Sequence, residues 1–84
     1  MAEYQGWKNK ATWNVALYIM NEYSLYMAAR EYVAVCKRSG MRVRYGGYLD
    51  YAGLRGLRTP DGFKFDGTRL CVKELREMLE GLAA

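Results

Sequence analysis

Between residues 22 and 38, Leu25, Ala28, Tyr32 and Cys36 return every three or four positions, while Arg30, Glu31, Lys37 and Arg38 fall mostly off that line. An apolar stripe at this period commits the segment to an amphipathic helix with one face to bury. A chain of 84 residues has a single core in which to bury it, because surface-to-volume scaling leaves so small a domain little interior to divide. Lys37 and Arg38 complement the negative end of this helix, and Ser39-Gly40 supplies its stop. Every other segment has to be arranged around this face.

Residues 1–8 form an extended lead-in that Trp7 could pin to the domain. Lys10 to Met20 carries two periods at once: Trp13, Val15, Leu17 and Ile19 alternate as in a strand, whereas Trp13, Leu17 and Met20 share a helical face. Ala11, Ala16, Leu17 and Met20 favour helix, Asn9 offers an N-cap oxygen, and Asn21 closes the segment. A link this short makes the first two helices an antiparallel hairpin. At the other end, Val72, Leu75, Leu79 and Leu82 describe a terminal amphipathic helix over 70–82, with Gly81 marking its end. Cys71 stands where Ser or Asp would normally cap it, unless Thr68 begins the helix early.

Residues 41–45 and 62–66 alternate apolar and polar side chains and could pair as a minor two-stranded ribbon. Between them, Tyr48, Tyr51, Ala52 and Arg55 fall at helical spacing, which assigns a short third helix to residues 46–57. Thr59-Pro60-Asp61-Gly62 is a turn: Pro60 presets φ, Asp61 can bond its own backbone, and Gly62 tolerates positive φ. The fold class expected is mainly α, a helical hairpin plus a C-terminal amphipathic helix around one core in a single domain, residues 1–84.

The chain contains no histidine, the side chain best suited to proton transfer at neutral pH. Glu74, Glu77 and Glu80 are spaced as the solvated face of a helix, and Cys36 or Cys71 would lack an imidazole to activate it. Gly46-Gly47 and Gly53-x-x-Gly56 lack the lysine and the strand-to-helix setting of a phosphate loop. With no signal-peptide core, the two cysteines are expected as reduced thiols in the cytoplasm, too few for a zinc site. No apolar run is long enough for a bilayer. These features point away from an enzyme, a cofactor, a metal and a membrane, and toward a protein that acts by docking.

Charge locates the docking surface. Between Lys37 and Arg58 six cations stand against Asp50 alone, although the whole chain is only +4. The cations Lys37, Arg38, Arg42, Arg44, Arg55 and Arg58 are interleaved with Tyr45, Tyr48 and Tyr51. Arginine with aromatic residues serves both to anchor protein interfaces and to stack bases. These nine residues are the candidate partner-binding set, to be weighed against an ordinary basic surface with half-buried tyrosines.

Asn9-Lys-Ala-Thr12-Trp13-Asn-Val15-Ala-Leu17-Tyr-Ile19-Met-Asn21 resembles the opening of a group of small bacteriophage and mobile-element proteins with the pattern Asn-x-x-Thr-Trp-x-Val-x-Leu-aromatic-Ile-x-Asn. Thr59-Pro-Asp-Gly-Phe-Lys-Phe65 before an acidic terminal helix is similar to that group's closing segment, and the two stretches cover about half the chain. The group typically has Asp before its last helix where this chain has Cys71, so no cap role carries over. The resemblance implies a viral setting, in which a small non-catalytic protein would occlude a host protein or ribonucleoprotein complex, as an anti-CRISPR protein does. Physical chemistry nevertheless assigns Asn9 and Trp13 first to capping and packing. Direct DNA or RNA binding by residues 37–58 is the alternative, and a self-associating homo-oligomeric assembly factor a third.

Overall fold

The computed structural model describes residues 4–82. Four helices follow one another: α1 (Lys10–Asn21), α2 (Tyr23–Ser39), α3 (Tyr45–Ala52) and α4 (Val72–Leu82). The mainly α class expected from periodicity is the class observed.

The cap at Asn9 forms as its chemistry dictates. Its backbone is extended, and its Oδ1 accepts hydrogen bonds from the Thr12 amide at 2.8 Å and the Thr12 hydroxyl at 2.7 Å. Asn21 does not close α1 but is its last helical residue. The corner is Glu22, in extended conformation, whose amide donates to Tyr18 O while its carbonyl accepts from Tyr26 N. One residue thus ends α1 and starts α2, and the two helices pack together. The face that α1 buries is Thr12, Val15, Ala16 and Ile19, leaving Leu17 and Met20 exposed. Trp13 lies half-buried, its ring 4.8 Å from that of Tyr4. The lead-in is a turn rather than an extended segment, closed by two hydrogen bonds between Tyr4 and Trp7; residues 1–3 lie outside the described part.

α2 is the hub, packing on all three other helices. It buries Ala29, Tyr32, Val33 and Cys36, with Leu25 and Ala28 partly buried beside them. Gly40 ends it at φ 70, the left-handed cap expected there. The third helix is shorter than its tyrosine spacing suggested. Gly53 at φ 71 stops it, so Arg55 lies beyond the helix.

The ribbon expected between 41–45 and 62–66 does not form. Lys64 pairs instead with Arg58 across the Thr59–Gly62 turn, with Thr59 N donating to Phe63 O and Phe65 N to Leu57 O. Closing this short local loop costs roughly 1 kcal/mol less entropy than joining segments some twenty residues apart. Residues 41–44 serve as a connector from which Val43 reaches the core, and Tyr45 already belongs to α3. α4 begins two residues later than the apolar pattern suggested, at Val72. Leu75 and Leu79 are its fully buried positions. Cys36 and Cys71 are both free thiols, and among the described residues no helix is long and apolar enough to cross a membrane.

Candidate functional site

The nine residues singled out by charge and aromatic content do not form one surface. Tyr45 and Tyr48 are core residues, only 3% and 0% exposed. Tyr45 donates its hydroxyl hydrogen to Phe65 O at 2.6 Å, and Tyr48 donates to Leu25 O at 2.9 Å. Burial pushes both hydroxyls well above the ordinary tyrosine range, so neither is an acid near neutrality. Their proximity to the arginines in sequence misled because the helical turn points them inward while the arginines point out.

The arginines do gather. Two clefts, of about 540 and 670 Å³, meet over α3 and share Arg44, Gly47 and Asp50 as their common ridge. Arg55 and Arg76 line one cleft, and Arg42 and Tyr51 the other. Exposed apolar side chains sit among them: Met41 at 55%, Tyr51 at 48% and Val72 at 53%. Arg76 and Val72 come from α4, outside the basic segment of the sequence, and only folding reveals that they belong to this face.

Carboxylates are set into the same face. Arg55 Nε donates to Asp50 Oδ1 at 2.5 Å, and that pairing holds the guanidinium pKa above its ordinary value. Tyr51 donates to Glu31 Oε1 at 3.2 Å; partial desolvation and then the Glu31 charge raise its pKa, while the charge of Arg38 opposes the rise. Arg38 and Lys37, exposed in the last turn of α2, line neither cleft. Arg76 is held loosely, 4.0 Å from Glu80, and its Nε has no hydrogen-bond acceptor.

What fixes this face is the approach of α3 to α2. A Cβ at Gly47 would overlap the Tyr32 hydroxyl, which accepts a hydrogen bond from Arg44 N at 3.1 Å. Glycine at 47 thus lets Tyr32 hold the start of α3, and with it the backbone of Arg44.

Arg58 departs from the set altogether. It lies beside Lys10, Lys64 and Arg69 at a separate cleft of about 670 Å³ that shares no residue with the two over α3.

A third group, missed in the sequence, is buried and polar. Asn14 Oδ1 accepts from the Thr59 hydroxyl at 2.7 Å, and Asn14 Nδ2 donates to Asp61 Oδ2 at 2.7 Å. Tyr18 reaches the same carboxylate oxygen at 3.4 Å, and the Thr12 hydroxyl accepts from Cys71 N at 3.0 Å. The opening of the chain around Asn9 to Tyr18 is thereby bolted to the segment from Thr59 onward. The chain belongs to the family described as "Family of unknown function (DUF7249)", which matches residues 1–84. Neither a curated protein nor a solved structure matches the chain. The Asn9, Thr12, Asn14, Thr59 and Asp61 side chains are hydrogen-bonded across this junction and help hold the fold together. Among the described residues, no group of three or more Cys, Asp or Glu side chains is placed to hold a metal ion.

Proposed function

We propose that this chain is a non-catalytic docking protein whose face over α3 covers an acidic surface on a partner protein. The observation that carries the proposal is the mixture on that face: Arg42, Arg44 and Arg55 alternate with exposed Met41, Tyr51 and Val72, and with the carboxylates Asp50 and Glu31. Protein interfaces combine arginine, methionine and tyrosine in this manner. A nucleic-acid backbone would meet Asp50 at the ridge between the clefts and be repelled there, whereas a protein surface can offer Asp50 a donor. The non-catalytic half rests on residue chemistry: the chain has no histidine to move protons near neutral pH. The resemblance to small phage proteins supplies the setting, in which docking inhibits a host complex by occlusion, as an anti-CRISPR or other anti-defence protein would.

The test is affinity capture from host lysate with quantitative mass spectrometry, followed by calorimetry on the purified partner. Arg42→Glu with Arg44→Glu should weaken the partner by about a hundredfold, as truncating central arginine contacts commonly costs 2 kcal/mol or more. Lys64→Gln with Arg69→Gln, away from the face, should leave it bound. Capture that survives charge reversal at 42 and 44, or turnover of a substrate by the purified chain, would sink the proposal.

A further inference from the structure

Four cations converge where the start of α1, the hairpin around Thr59–Gly62 and the turn before α4 meet. We propose that the cleft bounded by Lys10, Arg58, Lys64 and Arg69 binds the phosphate-bearing part of a nucleotide, either free or as a unit of a single strand. This site is independent of the docking face over α3, with which it shares no residue.

Three observations carry the inference. Among the described residues no aspartate or glutamate lines the cleft, in contrast to the α3 face with Asp50 at its ridge. None of the four cations is ion-paired to a carboxylate among the described residues. Second, Arg58 and Lys64 are directly opposite in an antiparallel bridge, where like charges repel and cost stability. Two cations held on one side of a hairpin, with two more beside them, make a site that an anion with several charges would relieve. Third, the positions are framed before any ligand arrives. Arg58 Nη1 donates to Gly62 O at 2.9 Å, and Asn9 Nδ2 fixes the Arg69 carbonyl at 2.8 Å.

The chemistry of the walls narrows the ligand. Guanidinium groups grip phosphate oxygens in bidentate fashion, and two arginines with two lysines suit two neighbouring phosphates better than one carboxylate. Phe63, half-buried at the same cleft, offers an apolar surface to a base. The volume of about 670 Å³ accommodates a nucleotide, since small-molecule sites run from about 300 to 1,000 Å³.

Fluorescence anisotropy at low salt, with a fluorescein-labelled oligothymidylate and a methylanthraniloyl-labelled ADP as probes, tests this. At least one probe should bind, with affinity falling as salt rises by roughly one log unit of slope per phosphate contact. Lys64→Gln with Arg69→Gln should weaken binding about tenfold or more, while Arg42→Gln with Arg44→Gln leaves it unchanged. Tighter binding of the oligonucleotide would assign a strand, and equal or tighter binding of the labelled ADP a free nucleotide; both support the site. Lys10→Gln, on α1 and outside the hairpin, gives an independent reading should the double variant fold poorly, and must weaken the same probe. Binding by neither probe, or binding that Lys10→Gln and the double variant leave intact, would overturn the proposal.

Discussion

Asn14 shows how much one side chain can do at a position where its neighbours are apolar. It is 1% exposed, and it satisfies its acceptor with the Thr59 hydroxyl and its donor with the Asp61 carboxylate. Asn14→Ala removes both bonds at once and leaves the Thr59 hydroxyl, itself 3% exposed, without that acceptor. Stranding a buried polar group costs about 1–3 kcal/mol, so the loss on urea denaturation should be about 2–3 kcal/mol. Asn21→Ala, exposed at the end of α1, should cost less than about 0.5 kcal/mol. Equal midpoints for the two variants would show that the buried network adds nothing to stability. Legibility at this scale followed sequence distance. Asn9 could be recognised as a cap because the amide it serves is three residues away, whereas the partner of Asn14 is 45 residues away and leaves no local trace.

At the scale of the element, the approximate place of each helix was legible in its apolar period, but its ends and the face it turned inward were less so: Asn21 and Gly81, read as stops, are helical residues, and only Gly40 ends a helix where expected. Leu17 and Met20 fit a stripe with Trp13, yet α1 buries Thr12 and Ala16 in their place because small side chains admit a close neighbour. Glycine makes the same point in α3. Substituting alanine at a helical glycine ordinarily gains about 1 kcal/mol in helix propensity. Gly46→Ala, in the first turn of α3, should keep part of that gain, since the added Cβ meets only the exposed Arg55 guanidinium at 3.0 Å, which can shift at the cost of its 3.2 Å hydrogen bond to Gly46 O. Gly47→Ala should instead destabilise by about 1–3 kcal/mol, because its Cβ falls on the Tyr32 hydroxyl and lies 2.9 Å from Cζ of that ring, inside the α2–α3 contact. Tyr32→Phe removes the obstructing oxygen, so the penalty of Gly47→Ala should shrink in that background, a coupling that a double-mutant cycle by urea denaturation measures. Opposite signs at adjacent glycines are the diagnostic result, and two gains would refute the close approach. The sequence pattern could place a weak helix here, but no local feature distinguishes the glycine that faces a tyrosine from the one that faces an arginine.

The whole molecule is organised around tyrosine in a way that its composition only hinted at. Ring centroids run from Tyr45 to Tyr48 at 6.3 Å, to Tyr32 at 6.4 Å and on to Tyr51 at 5.9 Å, a path from the core to the basic face. The eight tyrosines therefore do not divide simply into core and contact patch. The inner pair also makes the fold sensitive to alkali. In the unfolded chain a tyrosine ionises near pH 10, whereas burial raises the pKa of Tyr45 and Tyr48 in the folded protein and keeps their hydroxyls as hydrogen-bond donors. Below the unfolded pKa both states hold the proton, and the full stabilisation is present. As pH climbs above about 10 the unfolded state sheds protons that the folded state retains, and stability falls by up to about 1.4 kcal/mol per pH unit for each tyrosine. The urea midpoint should drop steeply between about pH 10 and 11.5, since total stability for a small domain is only about 5–15 kcal/mol. Tyr48→Phe separates this from the deprotonation of lysine, which is common to both proteins. At pH 7 the variant should be less stable by about 1 kcal/mol, having lost the bond to Leu25 O. Above pH 10 its curve should fall more slowly and approach or cross the parent's, because one buried acid is gone. Parallel curves across that interval would mean that Tyr48 ionises as readily in the fold as outside it, which its burial between α2 and α3 forbids.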